Sequence, residues 1–125
     1  MKKMGLFCIS VLFVFSFHIG FALTNQSSVS IEAPQTVEKD SEITIHFTVT
    51  HNGNNFLHYT KWLKIMINQK EIARWDYTAG QRPETAVFTK EIKVKATEKM
   101  EVTAEASCNI HGSKGPTTVN IAINE

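Results

Sequence analysis

Ile43-Thr44-Ile45-His46-Phe47-Thr48-Val49-Thr50 alternates apolar and polar residues without a break. Successive side chains on a strand point to opposite faces. A period of two therefore puts Ile43, Ile45, Phe47 and Val49 on one face, and three threonines with His46 on the other. A helix would scatter those four apolar residues around its circumference. The stretch is a half-buried strand, and its period recurs outward in both directions. Upstream, Val29 and Ile31 alternate with Ser28, Ser30 and Glu32 and stop at Pro34. Downstream, 58–67 carries Leu63, Ile65 and Ile67 on one parity and Trp62 on the other. A short run over 72–77 ends at the turn residues Ala79-Gly80-Gln81-Arg82-Pro83.

Three further runs complete the pattern. Residues 86–94 place Phe88, Ile92 and Val94 on one face. Met100, Val102, Ala104, Ala106 and Cys108 share a face against Glu101, Thr103, Glu105 and Ser107, and Val119, Ile121 and Ile123 close the chain. Seven short strands separated by turns, with no helical period, predict an all-β fold: a seven-stranded antiparallel immunoglobulin-like β-sandwich. Its expected core includes Ile45, Phe47, Leu63, Phe88, Val102 and Ile121.

Composition narrows the function classes. The 125 residues are 42% hydrophobic and 20% charged, ordinary for one globular domain. A net charge of +1 leaves no basic footprint for nucleic acid, so none is expected as a partner. Neither a phosphate loop nor a dinucleotide-binding glycine fingerprint occurs. Lys2 and Lys3 precede an uncharged run over 4–25, densely apolar from Leu6 to Leu23, and Gly20-Phe21-Ala22 supplies small residues where a signal peptidase reads. Residues 1–22 are expected to be a secretory signal peptide; the alternative is an uncleaved anchor, the one case that would bring in a membrane. Residues 23–125 are then an exported domain, periplasmic or secreted.

Losing Cys8 with that segment leaves the domain one thiol, Cys108. Exported domains usually pair their cysteines, so a lone one is either a small buried hydrophobe or a working thiolate. Its surroundings favour the second reading. His51 opens the Asn52-Gly53-Asn54-Asn55 turn and His58 begins the strand after it, so the turn can aim both rings at one point. Cys108-Asn109-Ile110-His111-Gly112 follows the end of its own strand, and a Cys-x2-His step lets sulfur and imidazole reach one ion from a tight loop. Three imidazoles and a thiolate suit zinc, copper or iron rather than calcium or magnesium. His46 lies five residues from His51, roughly 16 Å along a strand, and is expected to stand outside the cluster.

The segment from His51 through His58-Tyr59-Thr60-Lys61-Trp62 resembles the His-loop-His half of the desulfoferrodoxin/neelaredoxin family, the superoxide reductases. Cys108-Asn109-Ile110-His111-Gly112 is similar to that family's terminal Cys-Asn-x-His-Gly motif at every position. The resemblance implies one mononuclear non-haem iron, cycling between ferrous and ferric. It assigns His51, His58 and His111 as equatorial ligands and Cys108 as the axial one. No catalytic residue beyond the ligands is implied. Superoxide as substrate, reduced by one electron to hydrogen peroxide, and an electron-donor protein follow from the same resemblance. It also implies that the Ile110 and His111 amides bond the sulfur.

The departures are specific. The family's fourth histidine, upstream of the position of His51, has no counterpart; the nearest match is about Ser27, and no lysine stands beside it. The His51–His58 loop is one residue longer than the family's, and Ser113-Lys114 follows Gly112 where many members have Leu-Trp. Lys61 and Lys114 are the local cations. Two other readings stay open. One is a metal-binding or electron-transfer module without superoxide chemistry, although the sequence has no methionine after His111 of the kind a cupredoxin copper site uses. The other is a plain immunoglobulin-like interaction domain that binds no metal.

Overall fold

Two sheets face each other in the computed structural model, which describes residues 26–125. The expected signal peptide or anchor over 1–22 lies outside the described residues. The strands are β1 (Ser28–Glu32), β2 (Thr36–Glu38), β3 (Glu42–Thr50), β4 (Thr60–Ile67), β5 (Lys70–Asp76), β6 (Val87–Lys95), β7 (Met100–Cys108) and β8 (Thr117–Asn124). One sheet has the order β1-β3-β6 and the other β2-β8-β7-β4-β5. All neighbours are antiparallel except β2 and β8. No helix occurs among the described residues. The all-β, immunoglobulin-like sandwich is the expected one, with a strand more than the seven expected.

The extra strand is β2. Its three residues offer no alternation to read, and only Val37 is buried. It exists because Thr36–Glu38 pairs with Ala122–Asn124 at the edge of the larger sheet. The core forms where the period-two faces meet. Ile43, Ile45, Phe47 and Val49 of β3 lie against Leu63, Ile65 and Ile67 of β4 and Met100, Val102, Ala104 and Ala106 of β7. Ile45, Phe47, Leu63, Val102 and Ile121 are buried as expected. Phe88 is only half-buried, because β6 is the outer strand of the three-stranded sheet and its inward residues are covered on one side. Phe47, fully buried, tests this core: Phe47→Ala should cost about 3–5 kcal/mol in urea-induced unfolding. A loss below about 1 kcal/mol would place Phe47 elsewhere.

Strand ends decide where function is built. Thr50 pairs with both Ser28 and Val87, while Thr60 pairs with Cys108. The loops 51–59, 77–86 and 109–116 therefore gather at one end of the sandwich. A bulge shapes that end: β4 pairs Thr60 with Cys108 but Trp62 with Ser107, so Lys61 is the extra residue. Bulges re-aim side chains and recur beside functional sites. Here the bulge sets Thr60 opposite Cys108. Trp62 turns outward between Lys64 and Arg74, whose cationic ends lie 5.6 and 5.4 Å from its ring. At the opposite end Asn68 and Gln69, both at positive φ, form the two-residue hairpin from β4 to β5.

Candidate metal centre

Asparagines build the loops before the histidines can meet. After β3 the chain turns sharply: the Gly53 amide donates to the His51 carbonyl at 2.8 Å, and Gly53 takes φ +115°, where a side chain would be strained. Asn55 closes the second half. Its Oδ1 accepts from the Leu57 and His58 amides at 3.0 Å each, an asparagine side chain doing the work of a backbone turn. The other loop closes on itself, with Cys108 and Gly112 exchanging backbone bonds of 2.9 and 3.1 Å. Gly112 sits at φ +75°, which is the physical reason for glycine there. Asn109 clamps one loop to the other: it accepts from the Tyr59 amide at 3.0 Å and donates to the Leu57 carbonyl at 3.1 Å.

Those constraints bring the ligand atoms of His51, His58 and Cys108 within 4.8 Å of one another, and His111 adjoins this group through His58 and the sulfur. His51 Nε2 lies 3.1 Å from His58 Nε2, which lies 3.0 Å from His111 Nδ1. The Cys108 sulfur is 3.9 Å from His111 Nδ1, and it falls within 4.8 Å of the ligand atoms of His51 and His58. His51 (1% exposed) and Cys108 (3%) form the buried floor, His58 is half-buried, and His111 is exposed at the rim. The Ile110 and His111 amides both donate to the sulfur at 3.4 Å, as the resemblance implies; such donors stabilise a thiolate. His46 stands apart on the outer face of β3, 3.5 Å from its cross-strand neighbour Glu91.

The cluster fits a cation better than it fits itself. His58 Nε2 stands between ring nitrogens of His51 and His111, so nitrogen lone pairs are crowded together here. A metal ion accepts all the lone pairs at once. With metal–nitrogen bonds near 2.0–2.1 Å, nitrogens at right angles on one ion are ~2.9 Å apart, and tetrahedral ones ~3.3 Å. The separations of 3.0 and 3.1 Å fall between those two values.

Two features of this region are not among the candidate residues taken from the sequence. Ser27, fully buried, bonds Thr60 through their hydroxyls at 2.8 Å, beside the cluster. Asn54 bonds the back of the His51 ring at 3.0 Å. The asparagine-rich turn was the available signal for Asn54, but composition does not say which asparagine turns inward. The sequence marks Ser27 only as the nearest match to the family's fourth histidine, and its bond to Thr60 depends on residues 33 apart in sequence.

Comparison with known proteins follows the same line. None of the curated proteins matches the sequence. Among solved structures, the superoxide reductase (neelaredoxin) of Ignicoccus hospitalis, in a threonine-to-lysine variant, superposes with a TM-score of 0.67 at 20% identity. The match covers 80% of this chain and 82% of that one. A candidate superoxide reductase of Thermotoga maritima gives 0.61 at 23% identity over 78% and 86%. The CARDB domain of a Pyrococcus furiosus protein, solved with di-metal ions, gives 0.62 at 13% identity over 78% and 87%. These likenesses show the fold, and a fold shared this widely does not name a chemistry. The sequence pattern of the Desulfoferrodoxin family, however, matches residues 23–114, a span that holds all four clustered side chains. The chain belongs to the desulfoferrodoxin family.

Proposed function

We propose that the protein is an exported mononuclear non-haem iron protein that reduces superoxide to hydrogen peroxide. The observation that carries this reading is the convergence of three imidazole nitrogens and one amide-supported sulfur at a partly open end of the sandwich. His51, His58 and His111 would hold the iron through Nε2, Nε2 and Nδ1, and Cys108 through its sulfur. Iron held by these residues would supply the one electron that, with two protons, converts superoxide to hydrogen peroxide.

The chain's own residues do the rest. The buried floor of His51 and Cys108 keeps bulk water from the sulfur side, while the exposed edge of His111 admits a small anion. Lys61 and Lys114, both exposed, border the same loops and add weak positive field, screened beyond about 10 Å at ordinary salt. Phe56 (65% exposed), Leu57 (73%) and Ile110 lie on the loops that carry His58 and His111. This apolar rim is where an electron-donor protein would come close enough to reduce the iron. Export rests on the pattern of residues 1–22, with a cut after Ala22.

Metal analysis of the full chain produced with iron, copper and zinc all available tests the reading. One iron per chain, with superoxide consumed to peroxide and no oxygen evolved, is the expected result. Zinc or copper in its place would favour the second reading, a metal module without superoxide chemistry. The observation behind that alternative is the Ser27–Thr60 hydroxyl pair, standing where the family's fourth histidine is matched. No bound metal would leave the interaction-domain reading.

A further inference from the structure

The Asn54 side chain touches three segments at once. Its Oδ1 accepts from the Thr60 amide at 2.8 Å and lies 3.0 Å from His51 Nδ1, while its Nδ2 donates to the Thr85 carbonyl at 2.6 Å. Turning the amide over would set NH2 against the Thr60 N–H and oxygen against the Thr85 carbonyl, losing both bonds. The amide orientation is therefore fixed, and an oxygen faces His51. An oxygen without hydrogen can only accept, so Nδ1 of His51 carries the hydrogen. Nε2 is then the bare nitrogen, and it is the atom that points at His58. The tautomer of His51 is thus set by a neighbour three residues along its own chain.

We propose that Asn54 is the positioning residue of the site: it holds His51 in the Nδ1–H tautomer and locks its ring plane, so that a bare Nε2 is presented before any metal arrives. The inference rests on His51 being a metal ligand, and it adds a residue that the family motifs quoted above do not contain. The three bonds have separate roles. The bond to Nδ1 fixes the tautomer, the Thr60 amide fixes where the oxygen sits, and the Thr85 tie anchors Asn54 to the 77–86 loop. Thr60 is also opposite Cys108, so the oxygen that orients His51 is registered to the strand that carries the sulfur. Without Asn54 the ring can flip and carry its hydrogen on either nitrogen. Part of the population would then present N–H to the ion.

Two variants separate positioning from scaffolding. Asn54→Ala removes all three bonds. Asn54→Asp keeps an acceptor for His51 Nδ1–H and for the Thr60 amide but sets an oxygen against the Thr85 carbonyl, losing the tie. Cobalt(II), a redox-stable probe, is titrated into the metal-free full chain against a competing chelator. Long-range 15N–1H NMR of histidine-labelled, metal-free protein reads the His51 tautomer. The expected result is Nδ1–H in wild type and Asn54→Asp and a mixture in Asn54→Ala. Cobalt affinity should fall about 10–100-fold in Asn54→Ala and recover to within a few-fold of wild type in Asn54→Asp.

Three results would overturn the proposal. One is a wild type carrying its hydrogen on Nε2. The second is Asn54→Ala with unchanged tautomer and affinity. The third is Asn54→Asp as weak as Asn54→Ala, which would make the loop tie the whole effect. If Asn54→Ala does not fold, the wild-type tautomer and the Asn54→Asp affinity still decide. A wild type that binds no cobalt counts instead against the metal reading above, while its tautomer still judges Asn54.

Discussion

Cys108→Ser should abolish the sulfur-to-iron charge-transfer absorption of the oxidised, iron-loaded protein and lower superoxide reduction tenfold or more, about 1.4 kcal/mol in the barrier. The expectation comes from what the fold does for this one atom. Cys108 ends β7 on the inward parity, is 3% exposed, and receives two amide hydrogen bonds at 3.4 Å. Serine is nearly the same shape and can accept from the same amides, so the sandwich should survive the change. The change removes a soft, electron-rich donor, and a neutral hydroxyl cannot replace a thiolate toward iron. Absorption spectra of the two proteins loaded with equal iron, and superoxide consumption measured side by side, check it. If the wild type shows no such band and Cys108→Ser binds iron equally well, the thiolate assignment fails, and the plain interaction-domain reading takes its place.

Most of the fold is legible because long strands carry their own signal. β3 and β7 are nine residues each, and their alternation is strict. The faces read from Ile43 to Val49 and from Met100 to Cys108 are buried as a result. Local pattern fails where tertiary pairing makes the element. Thr36–Glu38 has no period, yet it is a strand because β8 lies beside it. His58 looks like the start of a strand, but β4 begins at Thr60: Asn55 and Asn109 hold 57–59 in a loop, and the bulge at Lys61 restarts the ladder. Phe88 reads as core from its alternation, which cannot reveal that β6 lies at a sheet edge.

The site divides in the same way. His51, His58, Cys108 and His111 stand out because unusual residue types crowd around turns; the fold gathers the first three within 4.8 Å and sets His111 against His58 and the sulfur. Their supports are common residues, asparagine, serine and threonine, whose roles depend on which backbone group each one meets. Asn54, Asn55 and Asn109 do three different things in one small region. No spacing rule separates them. The geometry does.

Ser27→His should tighten iron binding by about tenfold or more, ~1.4 kcal/mol, and raise the rate of superoxide reduction. Ser27 bridges to Ser113, donating its amide to the Gly112 carbonyl at 3.3 Å and accepting from the Lys114 amide at 3.1 Å, so it runs beside the loop that carries His111; its hydroxyl reaches Thr60, itself opposite Cys108. An imidazole at this position would start from the wall of the site rather than from its rim. The substitution carries a cost, because Ser27 is fully buried and a larger side chain there overpacks the site by roughly 1–3 kcal/mol. The metal-free variant should therefore melt below wild type and gain more on adding ferrous iron, since a ligand that binds only the folded state stabilises it in proportion to its affinity. Pairing the change with Thr60→Ala makes room for the ring if the single variant proves too crowded. Selectivity should move too. Three nitrogens and one sulfur can close tetrahedrally on zinc, whereas a fourth nitrogen favours an ion that accepts more ligands. Zinc should thus compete less well in Ser27→His than in wild type. Unchanged iron affinity in both variants, with the fold intact, would mean that position 27 faces the Thr60 hydroxyl and not the metal, and the serine would then be part of the wall rather than a lost ligand.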